Sequence, residues 1–140
     1  MEFQVFVKPV GSRCNLSCDY CYYHDRGERG LHPAGQVMKA DILGIYIKQH
    51  LDAWEGDNVM FSWHGGEPLL AGLDFYRKVI GLQKEYNREG KRIVNGIQTN
   101  GMLLDNEWCS FLSENGFIVG LSIDGPAELH NMHRKSAAGI

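Results

Sequence analysis

The 140-residue chain is 44% hydrophobic and 22% charged, the balance of a folded protein with room for one sizeable core but not two. A net charge of -3, with no long basic run, excludes a general attraction to nucleic acid or to anionic membranes. No apolar run is long enough to cross a bilayer, and Met1 leads within two residues into "FQVFVKPV" rather than into an apolar leader, so a cytoplasmic protein is expected.

In chain order, Phe3 to Val7 reads as a first strand, running into Lys8-Pro9 and a loop that carries three cysteines. In "MKADILGIYIKQHLDAW" the residues Met38, Ile42, Leu43, Tyr46, Ile47, Leu51 and Trp54 recur at helical intervals. Val59 to Trp63 reads as a second strand and runs into "WHGGEP". The helical pattern returns in "LDFYRKVIGLQKEYNREG" through Phe75, Tyr76, Val79, Ile80 and Tyr86, with Gly90 as its stop. A third strand, Ile93 to Ile97, leads to "QTNG". "LLDNEWCSFLSENG" predicts a third helix: Asp105 is its N-cap, Trp108, Phe111 and Leu112 share a face, and Gly116 lies just past the end. The fourth strand, Phe117 to Ile123, enters "SIDGP", and "HNMHRKSAAGI" opens the next helix.

Strands alternating with helices are the grammar of parallel βαβ units. The expected fold is α/β: a partial (β/α) barrel of parallel strands, one domain over residues 1–140, truncated after about four strands. Such an open sheet leaves one edge unpaired, so a fragment of a larger barrel-like enzyme is expected. In parallel folds the loops after the strands share one face, and that face carries the ligand site. "WHGGEP", "QTNG" and "SIDGP" therefore converge on the cysteine loop.

That loop, "RCNLSCDYCYY", supplies Cys14, Cys18 and Cys21. In a reducing compartment clustered thiols serve as metal ligands or catalytic groups more than as structural disulfides. Thiolates suit zinc and iron–sulfur clusters. Cys21 and His24 have zinc-ligand spacing, so a zinc knuckle of the three cysteines with His24, in a non-catalytic module, is one reading. The other is a four-iron cluster, in which three cysteines leave one iron open to a small molecule. Cys109 reads as structural, packed on Leu104 in a staple at the start of the third helix. Tyr22 reads as a core or rim aromatic, and His32, His50, His130 and His133 as surface residues.

"CNLSCDYC" resembles the cysteine signature of the radical S-adenosylmethionine (SAM) enzymes. The resemblance implies a [4Fe-4S] cluster on Cys14, Cys18 and Cys21, with SAM chelating the open iron and split to a 5′-deoxyadenosyl radical that abstracts a substrate hydrogen. It places Tyr20 by the adenine. Gly65, Gly66 and Glu67 of "GGEP" resemble the motif that binds the methionine amino group of SAM, through a backbone that approaches closely and a carbonyl or carboxylate facing an ammonium. Ser122 and Asp124 resemble the strand-end residues at the SAM ribose or carboxylate, although Asp124 reads equally as a cap of the turn before Pro126. Gln98 fits the third strand end, and Arg134 the SAM carboxylate.

The run "KPVGSRCNLSCDYCYYHDRG … WHGGEPLLAG … IQTNGMLL … VGLSIDGP … HNMHRK" is similar to anaerobic sulfatase-maturating enzymes, which oxidise a cysteine or serine of a sulfatase to formylglycine. The resemblance puts Tyr23 and His64 near a substrate peptide. It also implies an electron donor such as flavodoxin or ferredoxin. Full-length members continue into further barrel strands, a catalytic aspartate and a cysteine-rich domain with two auxiliary clusters, so these residues alone are expected to be inactive in maturation. Another radical SAM peptide modifier, one that makes a crosslink or thioether, is the alternative within enzymes.

Overall fold

A computed structural model describes residues 3–23 and 36–137. The described elements are β1 (Phe6–Val7), α1 (Ala40–Ala53), β2 (Asn58–Trp63), a 3-10 turn (Pro68–Ala71), α2 (Leu73–Tyr86), β3 (Arg92–Thr99), α3 (Asn106–Glu114), β4 (Ile118–Leu121) and α4 (Ala127–His133). The strands form one sheet in the order β1-β2-β3-β4, each pair parallel. The expected parallel α/β architecture is therefore present.

The sheet is strongest at its centre. β2 pairs with β3 from Asn58↔Arg92 to Trp63↔Ile97, whereas β1 meets β2 only at Phe6↔Ser62 and Val7↔Trp63. The five-residue first strand expected from sequence is thus a two-residue one. Its missing start is drawn sideways: the Phe3 ring packs against His50 and Trp54, at 5.7 and 5.5 Å between centroids. β3 runs further than expected, to Thr99, and β4 is shorter at both ends.

On β2, Val59, Phe61 and Trp63 are fully buried on one face, and the other face carries half-buried Met60 and buried Ser62. They pack with Leu43 and Ile47 of α1, Tyr76 and Val79 of α2, and Trp108 and Leu112 of α3. Burial at this scale is the main source of stability. A polar knot closes the layer. Trp63 Nε1 donates to Asn95 Oδ1 at 3.0 Å, and the Asn95 and Gln83 amides exchange two hydrogen bonds of 2.9 Å.

Several local readings are corrected. His50 is not a surface residue: it is 4% exposed, donates from Nε2 to Met60 O at 2.8 Å, stacks on Tyr46 and meets Phe61 edge-to-face. Cys109 is exposed, so it makes no staple, and Leu104 packs on the core without it. α2 stops at Tyr86, four residues before Gly90, because the Asn87 side chain clasps Lys91 in both directions, Nδ2 to O at 2.7 Å and Oδ1 from N at 2.9 Å. α4 begins directly after Pro126, ahead of "HNMH", since proline's fixed φ suits the entry to a helix. Asp105 does cap α3, accepting from Trp108 N at 2.8 Å. His24 and His32 lie outside the described residues.

Candidate active site

The cysteine loop is laid over the end of β2 by its backbone. His64 N donates to Val7 O at 2.7 Å, Gly66 N to Gly11 O at 2.9 Å, and Glu67 N to Arg13 O at 2.8 Å. This crossing requires glycine. A Cβ on Gly66 would lie 2.1 Å from Arg13 O, and Gly65 has φ +125° with Gly11 O only 2.7 Å from where its Cβ would be. On its other side the loop is zipped to the segment after α4. Ser17 N donates to Lys135 O at 2.7 Å, Asp19 N to His133 O at 3.0 Å, and Ala137 N to Asn15 O at 3.0 Å, around an antiparallel bridge between Leu16 and Ser136.

Between these anchors lies a cavity of about 260 Å³. Cys14, Cys18 and Cys21 line it, together with Tyr20, Tyr23 and His64. The strand ends contribute Gly65, Gly66, Gln98 and Ser122, and the exit of α4 contributes Arg134. The convergence expected from the strand-end segments is thus realised in one place. Among the described residues the three sulfurs are not drawn to a common point as a metal-holding cluster. They do share a cavity and a sulfur-rich donor set of the kind that iron–sulfur groups use, and Cys14 Sγ accepts N–H bonds from Leu16 at 3.3 Å and from Asn100 Nδ2 at 3.7 Å.

Glu67 and Asp124 behave differently from the rest. The Glu67 carboxylate is fully buried: Oε1 accepts from Leu69 N at 3.0 Å and Thr99 Oγ1 at 2.7 Å, and Oε2 from Asn100 N at 2.8 Å. It pins the end of β3 to the end of β2 and does not line the cavity. Asp124 also stands back from the cavity. It accepts two bonds from Arg134, Nε at 2.9 Å and Nη2 at 3.1 Å, and one from the Tyr20 hydroxyl. The guanidinium in turn sits 5.5 Å over the Tyr20 ring. Asp124 thus ties the cysteine loop to the exit of α4.

The electrostatics follow from these partners. Burial, opposed by the Leu16 N–H and the Asn100 amide, pushes the Cys14 thiol up. Burial also raises Cys18, with Arg134 opposing it. Tyr20 is pushed up to about 12, first by burial and then by its bond to Asp124. Arg134, followed by Tyr20, holds Asp124 below the usual carboxylate range. Burial, with Lys8 adding to it, lowers His64. Lys8 itself stands 4.9 Å over the Tyr23 ring, and Tyr22 is exposed at the rim, its ring 4.2 Å from that of Tyr23.

The model of the radical SAM superfamily matches residues 9–138. The chain belongs to that superfamily. Radical SAM relatives include the serine-type anaerobic sulfatase-maturating enzyme of Bacteroides thetaiotaomicron, 47% identical over 96% of this chain and 32% of its own length. The cysteine-type enzyme of Clostridium perfringens is 42% identical over 97% of this chain and 36% of its own. Among solved structures, native anSMEcpe with bound AdoMet and Kp18Cys peptide superimposes with a TM-score of 0.87 at 42% identity, covering 97% of this chain and 36% of that one. The chain spans about a third of the length of the curated relatives it matches.

Sequence reasoning missed Asn15, Thr99 and Asn100, which connect the loop to the sheet, and the pairing of residues 133–137 with residues 15–19. "QTNG" marked the right turn but not the role of its asparagine.

Proposed function

We propose that this chain is the cofactor-binding part, residues 1–140, of a cytoplasmic radical SAM oxidoreductase that converts a cysteine or serine of a sulfatase-like peptide to formylglycine. Cys14, Cys18 and Cys21 hold three irons of a [4Fe-4S] cluster, and SAM takes the remaining one. When bound, the cluster and SAM supply the one-electron cleavage that yields a hydrogen-abstracting 5′-deoxyadenosyl radical. The protein's own part is placement. The Gly65–Gly66 backbone, with Glu67 held behind it, approaches the methionine end of SAM. Tyr20 flanks the adenine, Gln98 and Ser122 meet polar groups of the ribose, and Arg134, held by Asp124, faces the carboxylate. Tyr23 and His64 stand on the substrate side, where a low His64 pKa keeps the imidazole neutral and able to accept a hydrogen bond. An electron carrier such as flavodoxin or ferredoxin supplies the electron.

The observation that carries this reading is the sharing of one cavity by three thiols and by the ends of β2, β3 and β4. A peptide substrate is supported by likeness to an enzyme solved with a peptide bound. The test is metal and sulfide analysis with absorption and EPR spectra after anaerobic reconstitution, with and without SAM. About four irons and four sulfides per chain, with a signal altered by SAM, are expected. Stoichiometric zinc without iron uptake would sink the reading and leave the knuckle.

A further inference from the structure

Asn100 is the first residue after β3, and four hydrogen bonds fix it. Its backbone N–H donates to the buried Glu67 carboxylate at 2.8 Å. Its Oδ1 accepts from Met102 N at 3.0 Å. With the oxygen so engaged, the amide nitrogen faces the cysteine loop, donating to Asn15 Oδ1 at 2.8 Å and reaching Cys14 Sγ at 3.7 Å. Thr99 stiffens the same turn, donating to Glu67 and accepting from Gly101 N at 3.1 Å. The chain of contacts runs from a fully buried carboxylate through one amide to the first cysteine sulfur.

Resting on the cluster reading above, we infer that Asn100 is a positioning residue for Cys14 that also tunes the bound cluster, holding the Cys14–Asn15 turn against β3 and donating an N–H to the ligating sulfur. Hydrogen bonds to cluster sulfurs are among the levers that set iron–sulfur potentials. A donor favours the more negative, reduced state, so its removal lowers the midpoint potential. Two variants separate the donor from the turn. Asn100→Ala removes both side-chain roles, whereas Asn100→Asp keeps an oxygen for Met102 N but puts a charged acceptor in place of the donor.

The experiment is iron and sulfide analysis of the anaerobically reconstituted protein, followed by a dithionite titration monitored by EPR, for the wild type and both variants. The expected result is near wild-type iron content with a lower midpoint in both. Loss of the donor, as in Asn100→Ala, shifts the reduction equilibrium by up to about tenfold, ~59 mV for one electron. Asn100→Asp shifts further because it adds a negative charge. Loss of iron uptake in both variants, with the far-UV CD spectrum of the metal-free protein unchanged, also supports the assignment. An Asn100→Ala midpoint equal to the wild type at equal iron content overturns it. So does iron loss in Asn100→Ala alone, which would place the residue's role in the Met102 turn. If the wild type takes up no iron, the cluster reading itself fails and this inference falls with it.

Discussion

Around Phe61 and Trp63 the protein is held by area: fully buried rings and aliphatic side chains from β2, α1, α2 and α3 fill a continuous layer. Around the cysteines it is held by points. α4 has no buried residue, β4 exposes Ile118, Val119 and Leu121, and the cysteine loop is fastened by individual hydrogen bonds to residues 133–137 and to Asn100. Area burial is non-directional and tolerant of detail, while point contacts are directional and each carries a specific geometry. The scaffold therefore takes its stability from the first region, and the candidate site lies in the second. On the reading proposed above, a loop that holds a cluster and SAM belongs at the less stable end of the structure.

The largest expected effect lies in the first region. Phe61 is fully buried and packs at 4.7 Å on His50 and 5.8 Å on Tyr46 between ring centroids. Phe61→Ala should cost about 3–5 kcal/mol, from lost transfer energy and the cavity left behind. Chemical denaturation followed by far-UV CD measures it. A loss below ~1 kcal/mol would mean that the area-held region is no better packed than the loop.

Gly66→Ala probes the second region. Its new methyl would meet Arg13 O, Arg13 C and Ser12 O at 2.1 to 2.5 Å, all backbone atoms of the loop. The loop must lift away from β2, taking Cys14 with it. The core stays packed, so unfolding should shift by no more than ~1 kcal/mol while, on the cluster reading proposed above, iron retention falls on the order of 10–100-fold. If iron retention and global stability fell together, the two regions would be one cooperative unit.

The sequence disclosed the two regions unequally, for the same physical reason. Periodicity reports burial, so Val59, Phe61 and Trp63 on β2, and the Leu43–Ile47–Leu51 stripe on α1, were legible. Polar residues at strand ends report loops, so the convergence of "WHGGEP", "QTNG" and "SIDGP" on Cys14, Cys18 and Cys21 was legible too. Point contacts between distant residues leave no period. Asn100 with Asn15 and Tyr20 with Asp124 are separated by 85 and 104 positions, and nothing local predicts such pairs. His50 is a different kind of miss. It falls on the buried α1 stripe, three residues after Ile47, but its polarity outweighed its position.

The smallest effect uses pH to separate the regions. Burial lowers the pKa of His50 from its ordinary 6.5, while its bond to Met60 O opposes the shift. The unfolded chain therefore takes up a proton near pH 6.5 that the folded chain refuses until lower pH, so His50 contributes stability above that value that is lost on acidification. The Asp124 tie has the opposite reach. Arg134 and Tyr20 hold Asp124 below its ordinary 3.8, so the tie persists until the pH falls beneath that value. Between pH 7 and 5 the core should lose thermal stability while the loop remains tied. His50→Gln keeps a donor for Met60 O and removes the titration, so it should flatten the Tm-versus-pH profile over that range. His64, lowered mainly by burial, contributes a slope of the same sign. An unchanged slope in His50→Gln would locate the acid sensitivity outside the core, in the point-held region that Asp124 otherwise keeps closed.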